Sequence, residues 1–212
     1  MCKPTREPTT HGDVASLREE QVRQTRDALL GAGRRLFGSK GFAATSVEDL
    51  AAEAGVTTGA LYHHFESKTE LFAAVFEQLH LEVLARNSGA AASAIGEVGA
   101  LVRAFDDFLT AVLEPDVRRI MIEDAPSVLG LQRFTELDER YAFSAIVDAL
   151  NRAQSGGELT VGHPDALAHL LLGALVRGGM LIANSRTPRK TRDSVSATLR
   201  DLLRGLAPPN DA

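Results

Sequence analysis

The sequence predicts an all-α protein of about nine helices, an N-terminal three-helix helix-turn-helix unit followed by a larger C-terminal helical bundle. Apolar residues recur at helical spacing along most of the chain. Ser/Thr-x-x-Glu/Asp boxes open several of these runs and Gly or Pro closes them. No stretch reads as a strand, and no period suggests a solenoid repeat.

Residues 1–17 hold Pro4, Pro8 and Gly12 without apolar periodicity and read as a disordered leader. The first helix is expected from about Leu17 to Phe37, with Val22, Leu29, Leu36 and Phe37 on its apolar side and Gly38 and Gly41 as its stop. Thr45 or Ser46 then caps a second helix ending near Ala54. Gly55 suits a left-handed terminus and Thr57 can cap the next helix, so two helices meet at a sharp angle. That third helix runs from about Thr58 to His64. Ser67-Lys68-Thr69-Glu70 is a further capping box, opening a fourth helix with Leu71, Val75, Leu79 and Val83 on its buried stripe.

Asn87-Ser88-Gly89 loosens the pattern and divides the chain into residues 18–86 and 87–207, with a tail at 208–212. Beyond it, Val98, Val102, Phe105, Leu109 and Val112 form a stripe ending at Pro115. A short helix from Val117 to about Glu123 precedes Pro126, and Gly130 resets the chain. A long helix from Leu131 to about Gln154 follows. Residues 164–184 are apolar around most of a helix circumference, and Val195, Leu199, Leu202, Leu203 and Leu206 stripe the last helix.

Composition bounds the function. The 44% apolar content is ample for a core. Cys2 is the only cysteine, which argues against a disulfide framework or a cysteine metal cluster and fits a reducing cytoplasm. No uninterrupted apolar run reaches the roughly 18 residues of a membrane helix, so no membrane partner is expected. The formal charge is −5, and residues 1–70 carry nine Lys and Arg against ten Asp and Glu, so bulk charge gives no nucleic-acid footprint. Only side chains that face phosphates count toward counterion release, however, so a small placed set would suffice. There is no Gly-rich phosphate loop, zinc signature or G-x-S-x-G nucleophile turn, and no enzyme, cofactor or metal is expected.

The corner from Ser46 to Phe65 has the form that delivers a second helix into a major groove. The stretch Thr45-Ser46-Val47-Glu48-Asp49-Leu50-Ala51-Ala52-Glu53-Ala54-Gly55-Val56-Thr57-Thr58-Gly59-Ala60-Leu61-Tyr62-His63-His64-Phe65-Glu66-Ser67-Lys68 closely resembles the signature of the TetR family of transcriptional regulators. The likeness extends over about residues 23–83, with Phe37, Gly41 and Phe42 upstream and Leu71 and Phe72 downstream. It implies that the third helix is the recognition helix, with Thr57, Thr58, Gly59, Ala60, Tyr62 and His63 toward the groove or its phosphates and Lys68 gripping the DNA backbone. Thr45 and Ser46 are candidates for further phosphate contacts. The helix lacks Arg, Asn and Gln, so base readout leans on Thr methyls, His63 and DNA shape. Two plainer readings stay open: Tyr62 as a core aromatic with a wet hydroxyl, and His63 as exposed without a partner.

The resemblance also implies a C-terminal domain that binds a small effector and forms a homodimer through helices near 164–184 and 189–206. Gly173, Gly178 and Gly179 are expected to allow close approach there. Candidate pocket residues are Phe105, Phe108, Leu109, Met121, Phe134, Tyr141, Arg177 and Met180, where aromatic and flexible apolar groups meet few polar ones. The function implied is a dimeric repressor released from a double-stranded operator by a small molecule. The alternative is a helical interaction or ligand-sequestering module that no longer binds DNA.

Overall fold

The computed structural model describes residues 11–86 and 92–207, all helices, turns and short connections with no strand among them. In chain order the helices are α1 (His11–Lys40), α2 (Val47–Ala54), α3 (Thr58–His64), α4 (Lys68–Ala85), α5 (Ala92–Ala111), α6 (Pro115–Val117), α7 (Ala125–Asp138), α8 (Ser144–Ser155), α9 (Pro164–Ala183) and α10 (Pro188–Arg204). Two π-helical turns, Arg118–Asp124 and Glu139–Phe143, join α6 to α7 and α7 to α8 without a break. The loop expected at 87–89 and the tail at 208–212 lie outside the described residues.

Two differences from the sequence expectation have physical causes. Helix α1 starts at His11, so the last seven residues of the expected leader are helical. Helix formers such as Arg18, Glu19 and Glu20 need no apolar stripe of their own when the helix they extend is anchored farther along. Pro126 does not end the helix before it. The π turn gives Ala125 N–H the carbonyl of Ile120 as its acceptor, five residues back, and this wider turn accommodates the proline that follows. The break comes at Gly130, where the sequence places the reset of the chain, with φ 73° and ψ 161°.

The core is one continuous cluster running from Leu29 to Leu203. Helix α4 is its spine: Leu71, Phe72, Val75, Phe76, Leu79 and Val83 are all buried. Phe37, Phe42 and Phe72 pack with ring centroids 5.2–5.8 Å apart, locking α1 to the start of α4. Burial of each such side chain contributes about 1.5–3 kcal/mol.

Helix α1 also crosses α6 closely. A Cβ on Gly38 would lie 2.6 Å from Asp116 Cβ. Arg34 beside it donates to Asp116 at 2.9 Å and to Glu82 at 2.5 Å. The Phe42 amide donates to Asp124 Oδ2 at 2.8 Å. The N-terminal helices are thereby seated on the C-terminal body by packing and by polar ties together.

Candidate nucleic-acid interface

The corner is built by local chemistry. Ser46 caps α2, its hydroxyl accepting from the Asp49 amide at 3.0 Å while the Asp49 carboxylate accepts from the Ser46 amide at 3.4 Å. The Asp49 carboxyl is held below its usual range first by that amide and then by Lys40. Gly55 ends α2 in the left-handed region at φ 70°, and the Gly55 and Val56 amides return to the carbonyls of Ala52 and Ala51 at 3.1 and 2.9 Å. Thr57 then caps α3, its hydroxyl accepting from the Ala60 amide at 3.1 Å. Leu50, Leu61 and Phe65 are buried beneath the corner and fix its angle.

With those three inside, one contiguous face of α3 stays in solvent. Thr57, Thr58, Gly59, Tyr62 and His63 are exposed, Ala60 is half-buried, and residues 58, 59, 62 and 63 share a side of the helix at three- and four-residue spacing. Tyr62 is 54% exposed, which removes its reading as a core aromatic. The hydroxyls of Thr57 and Thr58, the α3 N-terminal amides and the Tyr62 phenol form a set of donors suited to phosphate oxygens.

Two residues expected at the DNA have partners within the chain. Thr45 is 1% exposed and its hydroxyl donates to the Gly41 carbonyl at 2.8 Å, so it closes the turn before α2 and has no side chain to offer DNA. Lys68 Nζ donates to the carbonyls of Phe42 and Thr45 at 2.9 and 2.8 Å and sits 4.1 Å from the centre of the Phe42 ring. The Thr45 amide reaches the Phe42 carbonyl at 3.3 Å across this turn, and the lysine adds a second donor there and one to the Thr45 carbonyl. Neighbouring cations are engaged as well: Arg35 with Glu53 at 2.7 Å, Lys40 with Asp49 at 3.7 Å, and Arg26 over the Phe65 ring at 4.6 Å.

A second candidate site lies in the body, a cavity of about 500 Å3 between α4, α5, α7, α8 and α9. Of the eight expected pocket residues, Phe105 and Phe108 line it. Leu109, Met121 and Phe134 are core residues elsewhere. Met180 packs against the core away from the cavity, Arg177 is exposed, and the Tyr141 hydroxyl donates to Glu77 at 3.1 Å.

The sequence reading missed His80 and Asp138 on the cavity wall. They pair at 3.0 Å between Nε2 and Oδ1. A histidine standing among Phe76, Leu79 and Val83 on the apolar stripe of α4 was the available signal.

At the far side of the body, α9 and α10 leave Leu170, Leu181 and Leu202 exposed at 72, 48 and 59%. The glycines of α9 divide. A Cβ on Gly178 would lie 2.7 Å from Val195 Cγ1 and one on Gly179 2.8 Å from Ile122 Cδ1, whereas Gly173 opens to free space. Gly178 and Gly179 therefore admit neighbours within the chain, and Gly173 alone of the three is open to a partner.

Comparison with known proteins gives a consistent picture. Residues 29–75 match the family model described as bacterial regulatory proteins, tetR family, and residues 98–206 match the tetracyclin repressor-like C-terminal domain. The chain is 28% identical over 183 residues to the HTH-type transcriptional regulator TtgR of Pseudomonas putida, covering 79% of this chain and 85% of that protein. It is 25% identical over 155 residues to the transposon Tn10 TetC protein of Escherichia coli, covering 73% and 78%. Among solved structures, a TetR-family transcriptional regulator from Pectobacterium atrosepticum superposes with a TM-score of 0.78 at 32% identity, covering 89% of this chain and 96% of that one.

Proposed function

Because this chain belongs to the TetR family of DNA-binding transcriptional regulators, we propose that it is a dimeric repressor whose two α3 helices enter successive major grooves of an operator and which a small molecule releases. In this reading residues 18–86 are the DNA-binding unit and residues 87–207 the effector-binding and dimerisation unit. The observation that carries it is the exposed face of α3, with Thr57, Thr58, Gly59, Tyr62 and His63 held outward by a buried Leu50–Leu61–Phe65 corner. Ser46, capping α2 with an exposed side chain, and half-buried Ala60 complete the proposed DNA surface.

Dimerisation is assigned to α9 and α10. Leu170, Leu181 and Leu202 form an apolar surface that a second copy covers, as isologous interfaces require. Each reading head alone makes few charged contacts, so affinity depends on both docking at once. Groove-matched heads sit roughly 34–36 Å apart or a multiple of it, and a small shift of α4 on effector binding breaks that match.

The alternative, a helical module that no longer binds DNA, draws on the engaged state of the cations around α3. Fluorescence anisotropy with a duplex from the protein's own promoter, across a salt series and with excess competitor, separates the two. Saturable, salt-sensitive and competitor-resistant binding supports the repressor, and equal affinity for competitor supports the alternative.

A further inference from the structure

The cavity in the body has an unusual wall for its size. Its aliphatic lining includes Ala100 and Ala104 on α5 and Ala145 and Ala149 on α8, and the space exists because these side chains are too short to fill it. Its charged groups are mostly paired already: Arg152 with Glu97 at 3.0 Å, and His80 with Asp138 at 3.0 Å. Arg103 lines it from an exposed position.

The His80–Asp138 pair differs from the rest. His80 and Asp138 are 6 and 8% exposed, and His80 Nδ1 has no hydrogen-bond partner among the described residues. A buried imidazole with one nitrogen engaged and the other orphaned carries a desolvation cost that a ligand group can relieve.

The pair is also the most buried of three polar ties between α4 and the α7 segment among the described residues. Glu70 accepts two hydrogen bonds from Arg133 at 2.5 and 2.7 Å, Glu77 accepts one from Tyr141 at 3.1 Å, and His80 pairs with Asp138. These three hold α4 to α7 and the π turn after it. Since α4 follows directly on α3 through the Ser67 cap, whatever changes the most buried tie acts on the element that positions the reading head.

We propose that the effector is a small uncharged molecule, apolar over most of its surface, carrying a hydroxyl or phenol that the His80–Asp138 pair receives. This rests on the regulatory reading above. A hydroxyl both donates and accepts, and so matches either tautomer of the imidazole. A carboxylate would place a second negative charge beside buried Asp138, and an ammonium would need a counter-charge where the acids already have partners. The apolar body supplies affinity and the hydroxyl supplies the signal to α4.

The test uses the full-length protein and three probes of one shape: 4-hexylphenol, hexylbenzene and 4-hexylbenzoate. Calorimetry is expected to show one 4-hexylphenol per chain, bound at least tenfold tighter than either other probe, and the promoter duplex released by the phenol alone. His80→Gln is expected to bring the phenol down to the affinity of hexylbenzene. Ala104→Trp, which fills the cavity, is expected to abolish binding while the unliganded protein keeps its melting temperature and duplex affinity. If that variant fails to fold, Ala149→Leu replaces it. Tightest binding by hexylbenzoate, equal binding by all three, or phenol binding that survives a folded cavity-filling variant overturns the proposal. Failure of unliganded protein to prefer its promoter duplex overturns the regulatory reading instead, and leaves the ranking of the three probes to be judged separately.

Discussion

Gly59 stands on the exposed face of α3, and Thr57 Oγ1 lies 3.8 Å from the place a Cβ would take, the one such contact among the described residues beyond its chain neighbours and the helix backbone. Gly59→Ala is therefore free of clashes inside the protein, and replacing a helical glycine raises stability by up to about 0.5–1 kcal/mol. If the backbone at 59 approaches DNA closely, the same methyl lowers duplex affinity tenfold or more. A melting curve and an anisotropy titration on one sample read both, and unchanged affinity would show that Gly59 does not meet the groove.

Lys68 makes the opposite case. Its two carbonyl bonds predict that Lys68→Met lowers stability by about 1–2 kcal/mol. The slope of log affinity against log salt stays where it was, because no phosphate contact is lost. A slope smaller by about one charge would restore the phosphate role that the family likeness implies.

These two residues also mark the limit of what the sequence discloses. Position 59 could be placed on the reading face from helical spacing alone, whereas the acceptors of Lys68, at Phe42 and Thr45, come from a turn 26 and 23 residues earlier. Local caps and stripes are legible because their partners are three or four residues away. Tertiary acceptors are not.

Among the elements, α4 governs the rest, and acid tests its grip. Two hydrogen bonds from Arg133 hold the Glu70 carboxyl below its usual range. A carboxylate depressed on folding contributes stability that is fully present above its unfolded pKa and is lost as pH falls through the folded one. The α4–α7 contact is thus expected to loosen below the ordinary glutamate range near 4.5. Glu70→Gln removes that part of the acid sensitivity, and the pair is exposed enough that the loss at neutral pH is small. Melting temperatures of both proteins from pH 3.5 to 7 check this, and parallel curves would contradict it.

Most of the residues expected at a pocket lie outside the cavity for a reason of size. Large aromatic and flexible residues such as Met121 and Phe134 attract attention as ligand contacts, yet they are large enough to fill their own space and become core. The cavity opens where alanines meet, and a run of alanines in one sequence looks like a good helix surface. The α2–α3 corner, by contrast, was readable residue by residue, because Ser46, Gly55 and Thr57 each perform a local capping function.

For the whole molecule, the two faces of α9 make separable predictions. Gly179→Leu must displace Ile122, a strain of about 1–3 kcal/mol within one chain. Leu170→Glu and Leu181→Glu leave the fold intact and put charge on the exposed apolar face. Sedimentation is expected to show the double glutamate variant as a monomer with duplex affinity reduced by at least a hundredfold, since each head then binds alone. A variant that stays dimeric would move the interface off α9.

Two α3 helices, fixed by one dimer, are proposed to read successive grooves. Hydroxyl-radical footprinting of the dimer on its promoter duplex tests it most directly. Two protected windows are expected on one side of the duplex, centred roughly 10–10.5 base pairs apart or at a multiple of that spacing, both vanishing together in the monomeric α9 variant. A single window, or protection that survives in the monomer, would contradict it.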